Sequence, residues 1–205
     1  YILTMGPLRA ADIIRDAMFR GADGGYLLTD RAFAGADTLA TSYALSRALA
    51  EIKPDIIVAG RQAIDGDTAQ VVAELAEYLG LPNVSNVLSV DDYRDGTLSL
   101  TTGLDDRLIR LRIALPCLLS MDADINTPRL PSYKIRRQLT DDRVRMLRFA
   151  DFADQDPDHY GLSGSATQVE RIFPPEKTGG RETLDGDAGT QAQALLALLR
   201  QKKFV

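Results

Sequence analysis

The stretch that most constrains the fold of this chain runs through residues 55–79. It begins with a short apolar run, residues 55–59, of the kind that is buried on both faces of a parallel sheet. A polar loop follows from Gly60, and a helix is predicted from about Thr68 because apolar residues recur there at helical spacing. A strand, a glycine-bearing loop and a helix in this order commonly bind a nucleotide in α/β proteins, since free backbone N–H groups and the positive helix end face outward.

The residue types of this loop leave two interpretations open. The loop contains neither the GKS or GKT ending of a phosphate loop nor a GxGxxG turn. Asp65 and Asp67 would repel a phosphate that they faced, so their simpler role is to cap the helix that begins near Thr68. An ordinary turn with capping carboxylates and a ligand-binding loop therefore both fit.

The segments before and after this stretch predict an α/β fold. Strands are expected at residues 1–4 and 25–29, each followed by a helix, and Gly21 and Asp37 are suited to end the first helix and cap the second. This alternation predicts right-handed crossovers and a mostly parallel sheet with flanking helices.

After Pro82 the apolar pattern changes to that of antiparallel strands. Runs at residues 83–90, 96–102 and 107–114 are divided by turns, and Asp95-Gly96 is a strong hairpin signal. In the third run we place Leu108, Leu111 and Ile113 inward, with a one-residue slip, and the arginines outward.

Two more strands are expected, at residues 116–121 and within residues 141–149. Cys117, in the first of them, is predicted to be a buried, small apolar residue.

The last part of the chain reads as a polar, glycine-bearing linker at residues 154–165 and a terminal amphipathic helix. One face of this helix carries Ala192, Leu195, Leu196 and Leu199. A lone apolar face must be buried on this domain or on another chain. We therefore divide the chain into an α/β domain, residues 1–150, and a linker with a C-terminal arm, residues 151–205.

Composition excludes several classes of function. A net charge of −5 argues against nucleic acid as a partner. One cysteine and one histidine, His159, cannot build a disulfide framework or a multi-histidine metal site. No apolar run approaches the ~20 residues needed to span a bilayer, so we expect a soluble, cytoplasmic protein without membrane insertion. No catalytic acid–base pair and no metal site is predicted.

The amino-acid sequence of the loop after residue 59 indicates more about function than the composition does. It closely resembles the nucleotide-binding loop of the electron transfer flavoprotein β subunit. The residues concerned are Gly60, Arg61, Gln62, Ala63, Ile64, Asp65, Gly66, Asp67, Thr68, Ala69, Gln70 and Val71. The resemblance implies that this loop wraps the phosphates and ribose of an adenine nucleotide, and that Met5 also contacts it.

The same resemblance suggests which nucleotide is bound. Housekeeping members hold AMP in a structural role, whereas electron-bifurcating members hold the ADP half of a second FAD. Residues 65–70 resemble the bifurcating branch, in which NAD(H) would be a substrate that reduces this flavin. The FAD or AMP site would thus serve electron transport rather than acid–base catalysis.

A second block of the chain resembles the family at the loop after residue 121. The Asn-x-Pro-Arg sequence at residues 126–129 matches a loop that reaches the redox partner, an acyl-CoA or other dehydrogenase. Ile125 is the position that matches the family's apolar anchor. The resemblance further implies that the C-terminal arm wraps an α subunit, and that the chain lacks the family's first strands.

Three alternatives remain open at this stage. One is a housekeeping β subunit with structural AMP. Another is a stand-alone adenine-nucleotide-binding module of the universal-stress type, although the glycine-rich phosphate loop of those proteins is absent near the carboxyl end of the chain. The third is a scaffold subunit that binds no flavin.

Overall fold

Short apolar runs and amphipathic segments form eight strands and five helices in the computed structural model, which describes residues 1–64, 66–104, 106–139, 143–174 and 183–204. The strands are β1 (Ile2–Met5), β2 (Gly25–Leu28), β3 (Ile56–Gly60), β4 (Asn83–Arg94), β5 (Thr97–Leu104), β6 (Arg107–Ala114), β7 (Cys117–Met121) and β8 (Val144–Leu147). The helices are α1 (Ala11–Phe19), α2 (Thr38–Ile52), α3 (Val71–Leu79), α4 (Tyr133–Gln138) and α5 (Ala188–Gln201). The chain divides into two units, Tyr1–Gln168 and Val169–Val205.

The strands of the first unit form two sheets. One has the order β1-β2-β8 and is parallel throughout. The other has the order β3-β7-β4-β5-β6, with parallel pairing among β3, β7 and β4 and antiparallel pairing from β4 to β6. This arrangement confirms the predicted α/β class with flanking helices, an antiparallel region and a C-terminal helix.

Strand β3 is buried on one face only, so the prediction of burial on both faces is wrong. Ile57 is buried against Val72 and Leu75 of α3, but Val58, on the other face, is 59% exposed. Helix α3 covers the face that carries Ile57, whereas the opposite face is left open at β3, which is the edge strand of its sheet and pairs with β7 among the described residues.

The first two helices follow their local signals. Gly21, with φ 111°, stands directly after the C-cap of α1, and the Asp37 carboxylate accepts a hydrogen bond of 3.1 Å from the Ala40 amide at the start of α2. Helix α2 ends at Ile52 as predicted.

Helix α3 begins at Val71, three residues later than predicted, with Gln70 as its N-cap. Asp67 and Ala69 both have positive φ, 51° and 55°, which a right-handed helix cannot include. Asp67 therefore does not cap the helix, and its carboxylate accepts a hydrogen bond from the Gln62 amide group instead. Asp65, the other predicted cap, lies outside the described residues.

The hairpin between β4 and β5 is confirmed at Asp95-Gly96, where both residues have positive φ as a type I′ turn requires. Strand β6 pairs with β5 in an uninterrupted register, so the predicted slip is wrong. Strict alternation puts Leu111 and buried Ile113 on one face together with the exposed Arg107, and puts Leu108, which is 72% exposed, on the other face with Arg110 and Arg112.

Residues 152–167, which we call the strap, belong to the first unit and pack within it, although the sequence predicts a linker over most of this range. The buried rings of Phe152 and Tyr160 lie against Phe33, with ring centroids 6.0 and 5.8 Å from it. At its far end, the Thr167 amide and hydroxyl both donate to the Asp37 carboxylate, at 2.9 and 3.0 Å.

In the second unit, α5 is capped by the Asp187 carboxylate, which accepts a hydrogen bond from the Thr190 amide at 2.8 Å. Leu195 and Leu196 on its predicted apolar face are both exposed. No helix in the described ranges is both long enough and apolar enough to cross a membrane.

Candidate nucleotide-binding and docking loops

Two loops leave the same edge of the larger sheet. Parallel strands β3 and β7 pair in a register that puts Gly60 opposite Met121, so the chain leaves both strands side by side. We call residues 61–70 the β3 loop and residues 122–132 the β7 loop. Carboxyl ends of neighbouring parallel strands are where α/β sheets usually bind ligands.

One ion pair joins the two loops. The Arg61 guanidinium Nη1 lies 3.6 Å from Oδ2 of Asp122, whose other oxygen accepts a hydrogen bond of 3.0 Å from the Asp124 amide. Asp122 is the more buried of the two side chains. The pairing balances a carboxylate that would otherwise repel an anion at this edge.

The β3 loop is exposed along its described length, residues 61–64 and 66–70. The Asp67 amide donates to the Ala63 carbonyl at 2.9 Å. Apart from that bond, the amides of these residues have no hydrogen-bond partner within the described chain. Backbone donors are thus exposed along a loop that precedes a helix, which is the arrangement that favours phosphate binding.

The helix after this loop is fixed in place. The Ser42 hydroxyl of α2 is 3.3 Å from the Val71 carbonyl and 2.9 Å from the Glu74 carboxylate, and the Thr38 hydroxyl donates to the other oxygen of Glu74 at 2.9 Å. Glu74 is therefore occupied by α2. The positive end of the α3 dipole stays directed toward the loop.

The predicted site residues do not all come together. The described residues from Gly60 to Gln70 are exposed and Val71 is half-buried, while Asp65 lies outside the described residues. Met5 lies at the end of β1, in the other sheet, where it pairs with Leu28 and packs half-buried against the cluster that contains Phe33. Among the described residues no hydrogen bond or ion pair joins Met5 to the β3 loop.

Gly60 itself stands where a ligand can approach closely. A Cβ atom built on Gly60 meets nothing within 4 Å. Two clefts of about 500 and 590 Å³ lie elsewhere on the described part of the first unit, one beside Tyr1 and Arg143 and one beside Asp91 and Arg110. Because all its described residues are exposed, the β3 loop is an open surface.

The apolar residue that the β7 loop exposes is not the predicted one. Ile125 is half-buried and packs against the cluster that contains Val87 and Leu119. Leu130, in the same loop, is 85% exposed, and Tyr133 just beyond it is also exposed. Leu130 was not predicted from the sequence, although its position between two prolines, in a segment without other apolar neighbours, could have indicated it.

Comparison with known proteins places the chain in a family. The model of a family described as "Electron transfer flavoprotein domain" matches residues 1–143. Curated relatives named "Electron transfer flavoprotein subunit beta" are 38% identical in Clostridium acetobutylicum and 39% identical in Thermoanaerobacterium thermosaccharolyticum. "Caffeyl-CoA reductase-Etf complex subunit CarD" of Acetobacterium woodii is 36% identical. Each match covers 100% of this chain and 78% of the relative.

The fold defines an α/β protein in which two loops meet at the carboxyl edge of parallel strands. Within that class, the chain belongs to the electron transfer flavoprotein family, among its β subunits. This membership confirms the resemblance seen in the sequence of the β3 loop, and it decides against a stand-alone module of the universal-stress type.

Proposed function

We propose that the chain pairs with an α subunit and holds the adenylate part of FAD in the β3 loop, as a carrier of electrons between NADH or a dehydrogenase and a partner redox enzyme. The observation that carries this proposal is the exposed β3 loop with its unpartnered amides, in a chain of this family.

The residues of the β3 loop fit the chemistry of an adenylate. Its free amides and the N-terminal end of α3 would donate to phosphate oxygens, and Gly60 leaves room for a close approach. The Asp67 carboxylate, oriented by Gln62, would accept hydrogen bonds from ribose hydroxyls. Met5 and Asp65 complete the proposed set.

The flavin supplies the redox chemistry when it is bound, and the protein supplies position and electrostatics. We assign the approach of the dehydrogenase, an acyl-CoA dehydrogenase or another, to the β7 loop. Ile125 is the contact that the resemblance implies, and the exposure of Leu130 supports adding it to that contact. Of the predicted arm, residues 151–205, the part beyond the strap is assigned to the α subunit because α5 exposes Leu195 and Leu196.

The bifurcating form is the version of this function that residues 65–70 favour. It predicts a second FAD in each heterodimer, bound through this chain, whereas a housekeeping subunit would hold AMP there. The likeness to a subunit of a caffeyl-CoA reductase complex is consistent with the bifurcating form.

The test is to purify the chain with its α partner, extract the bound nucleotides and quantify them by chromatography. A second FAD per heterodimer that is reduced by NADH supports the bifurcating form. AMP in place of that FAD refutes it but keeps the β-subunit function. A heterodimer that yields no adenylate from this chain would refute the nucleotide site itself.

A further inference from the structure

We infer that the carboxyl end of α1 positions the β7 loop for its redox partner, and that Arg20 is the residue that does so. This inference deepens the proposed function, since it rests on the β7 loop being the docking loop. Nothing in the loop sequence itself points to α1, which lies more than one hundred residues earlier in the chain.

Arg20 links α1 to the loop by a charged hydrogen bond. Its Nη1 donates to the Arg129 carbonyl at 2.6 Å, and its Nε donates to the Asp16 carboxylate at 2.9 Å, one turn back on the same helix. Because the guanidinium group is planar and is bound at two of its nitrogens, Asp16 orients the fork that holds Arg129.

Phe19 makes the second link. Its carbonyl accepts a hydrogen bond of 2.8 Å from the Ser132 amide, and the Arg136 guanidinium lies 5.5 Å from the centre of its ring. The Ser132 hydroxyl also caps α4 by accepting from the Ile135 amide at 3.3 Å. The end of α1 is thereby joined to both the loop and the helix that follows it.

The Arg129 side chain lies close to the end of α1. A Cβ at Gly21 would come within 3.6 Å of the Arg129 guanidinium, so this side chain passes over the end of α1. The positive φ of Gly21, 111°, turns the chain away just after Arg20.

The two links flank the exposed apolar residue. Arg129 and Ser132, which contact Arg20 and Phe19, stand on either side of Leu130 and Pro131. Leu130 is therefore held by its neighbours while its own side chain stays free for a partner. Ordering the backbone before binding lowers the entropy that docking would otherwise cost. The affinity for the partner therefore rises without any new contact.

The first arm of the test reads the loop directly, without reference to function. In the intact heterodimer, Arg20→Ala is expected to speed tryptic cleavage after Arg129 about tenfold, because a charged hydrogen bond to the loop is lost. Arg20→Lys keeps one donor and should give an intermediate rate. Arg9→Ala is the matched control, since Arg9 is exposed and has no side-chain partner among the described residues. An unchanged cleavage rate in Arg20→Ala would overturn the inference.

The second arm measures electron transfer with a cognate dehydrogenase. Arg20→Ala should raise KM for the dehydrogenase about fivefold with kcat, bound flavin and Tm unchanged, a split that a general loss of stability does not produce. If Leu130→Ala raises KM and Arg20→Ala does not, the positioning role is wrong and the docking role stands. If neither variant raises KM, the docking role fails, and the inference fails with it.

Discussion

The β3 and β7 loops begin side by side, yet they differ in how far the rest of the chain fixes them. The β3 loop has one backbone hydrogen bond of its own within its described residues and leaves its remaining amides unpartnered. The β7 loop is tied at Arg129 and Ser132 to a helix from the start of the chain, and Ile125 is packed into the core.

This difference fits the size of the ligand that each loop is proposed to bind. A small anion can satisfy several amides at once, so a loop that receives it gains from keeping those donors free. Binding of a protein partner depends mostly on a few residues, so a loop that presents one apolar side chain gains from being ordered before binding. Substitutions in the two loops should therefore have different effects.

The largest effect is expected from a side chain added where the β3 loop begins. Gly60→Val should leave the fold intact, because nothing lies within 4 Å of the new Cβ and valine suits a strand. It should weaken adenylate binding about a hundredfold by blocking the close approach. Calorimetric titration of the nucleotide-free heterodimer measures the affinity, and Gly60→Ala should fall between.

A Gly60→Val heterodimer with a lower Tm would show that this end of β3 has a structural role that the open space does not suggest. Unchanged affinity with unchanged Tm would mean that the nucleotide does not approach here. Either result would break the contrast between the loops.

Next in size is a paired substitution in the β7 loop. Leu130→Ala should raise KM for the dehydrogenase about tenfold and leave Tm unchanged, because this side chain is exposed. Ile125→Ala should instead lower stability by about 1–2 kcal/mol, since a half-buried side chain loses its packing. Steady-state kinetics and thermal unfolding measure the two effects. The reverse pattern would make Ile125 the anchor and would refute the role of Leu130.

A smaller effect is expected from the ion pair that joins the loops. Arg61 and Asp122 approach at 3.6 Å, but Arg61 is more than half exposed, so solvent screens the attraction. A double-mutant cycle with Arg61→Gln and Asp122→Asn should give a coupling of at most about 1 kcal/mol. A larger coupling in nucleotide affinity would show that the two loops act as one site.

The smallest effect concerns the strap, which serves as a reference away from both loops. The Tyr43 hydroxyl first, then the Asp156 amide and His159, hold the pKa of Asp154 to about 2, so this carboxylate stays charged near neutral pH. The hydrogen bond to Asp154, at 2.6 Å, raises the pKa of His159 above its ordinary value of 6.5, against an opposing effect of burial. The charges of Asp156 and Asp158 act in the same direction as Asp154.

The sign of the pH dependence follows from that shift. Stabilisation by protonated His159 is complete below pH 6.5 and is lost as the pH rises through the higher pKa of the folded state. The Tm difference between wild type and His159→Asn should therefore shrink from pH 6 to pH 8, with nucleotide affinity unaffected. A parallel change in nucleotide affinity would show that the strap and the β3 loop are coupled.

Local signals predicted part of this fold correctly. Asp37 as the cap of α2, Gly21 after α1 and the Asp95-Gly96 hairpin were each readable because the backbone conformation there depends on the residue itself and a few neighbours. The position of the β3 loop, at the end of an apolar run, was readable for the same reason. The sequence of this loop also indicated the family, which the comparisons confirm.

Other features depended on residues far away in the chain. Val58 is exposed because α3 packs on the other face of the edge strand β3, and Leu108 faces outward because β6 pairs with β5 without a slip. The prediction that Asp67 caps α3 was wrong, because this residue can cap a helix but adopts a positive φ instead.

The sequence by itself therefore determined the class of the fold, the loop at the end of β3 and the family. Only the tertiary structure decided which apolar residue of the β7 loop stays exposed and that Arg20 holds that loop. The physical reason is range: turns and caps are set by torsion angles and hydrogen bonds over a few residues, whereas burial and positioning are set by whatever the folded chain brings into contact.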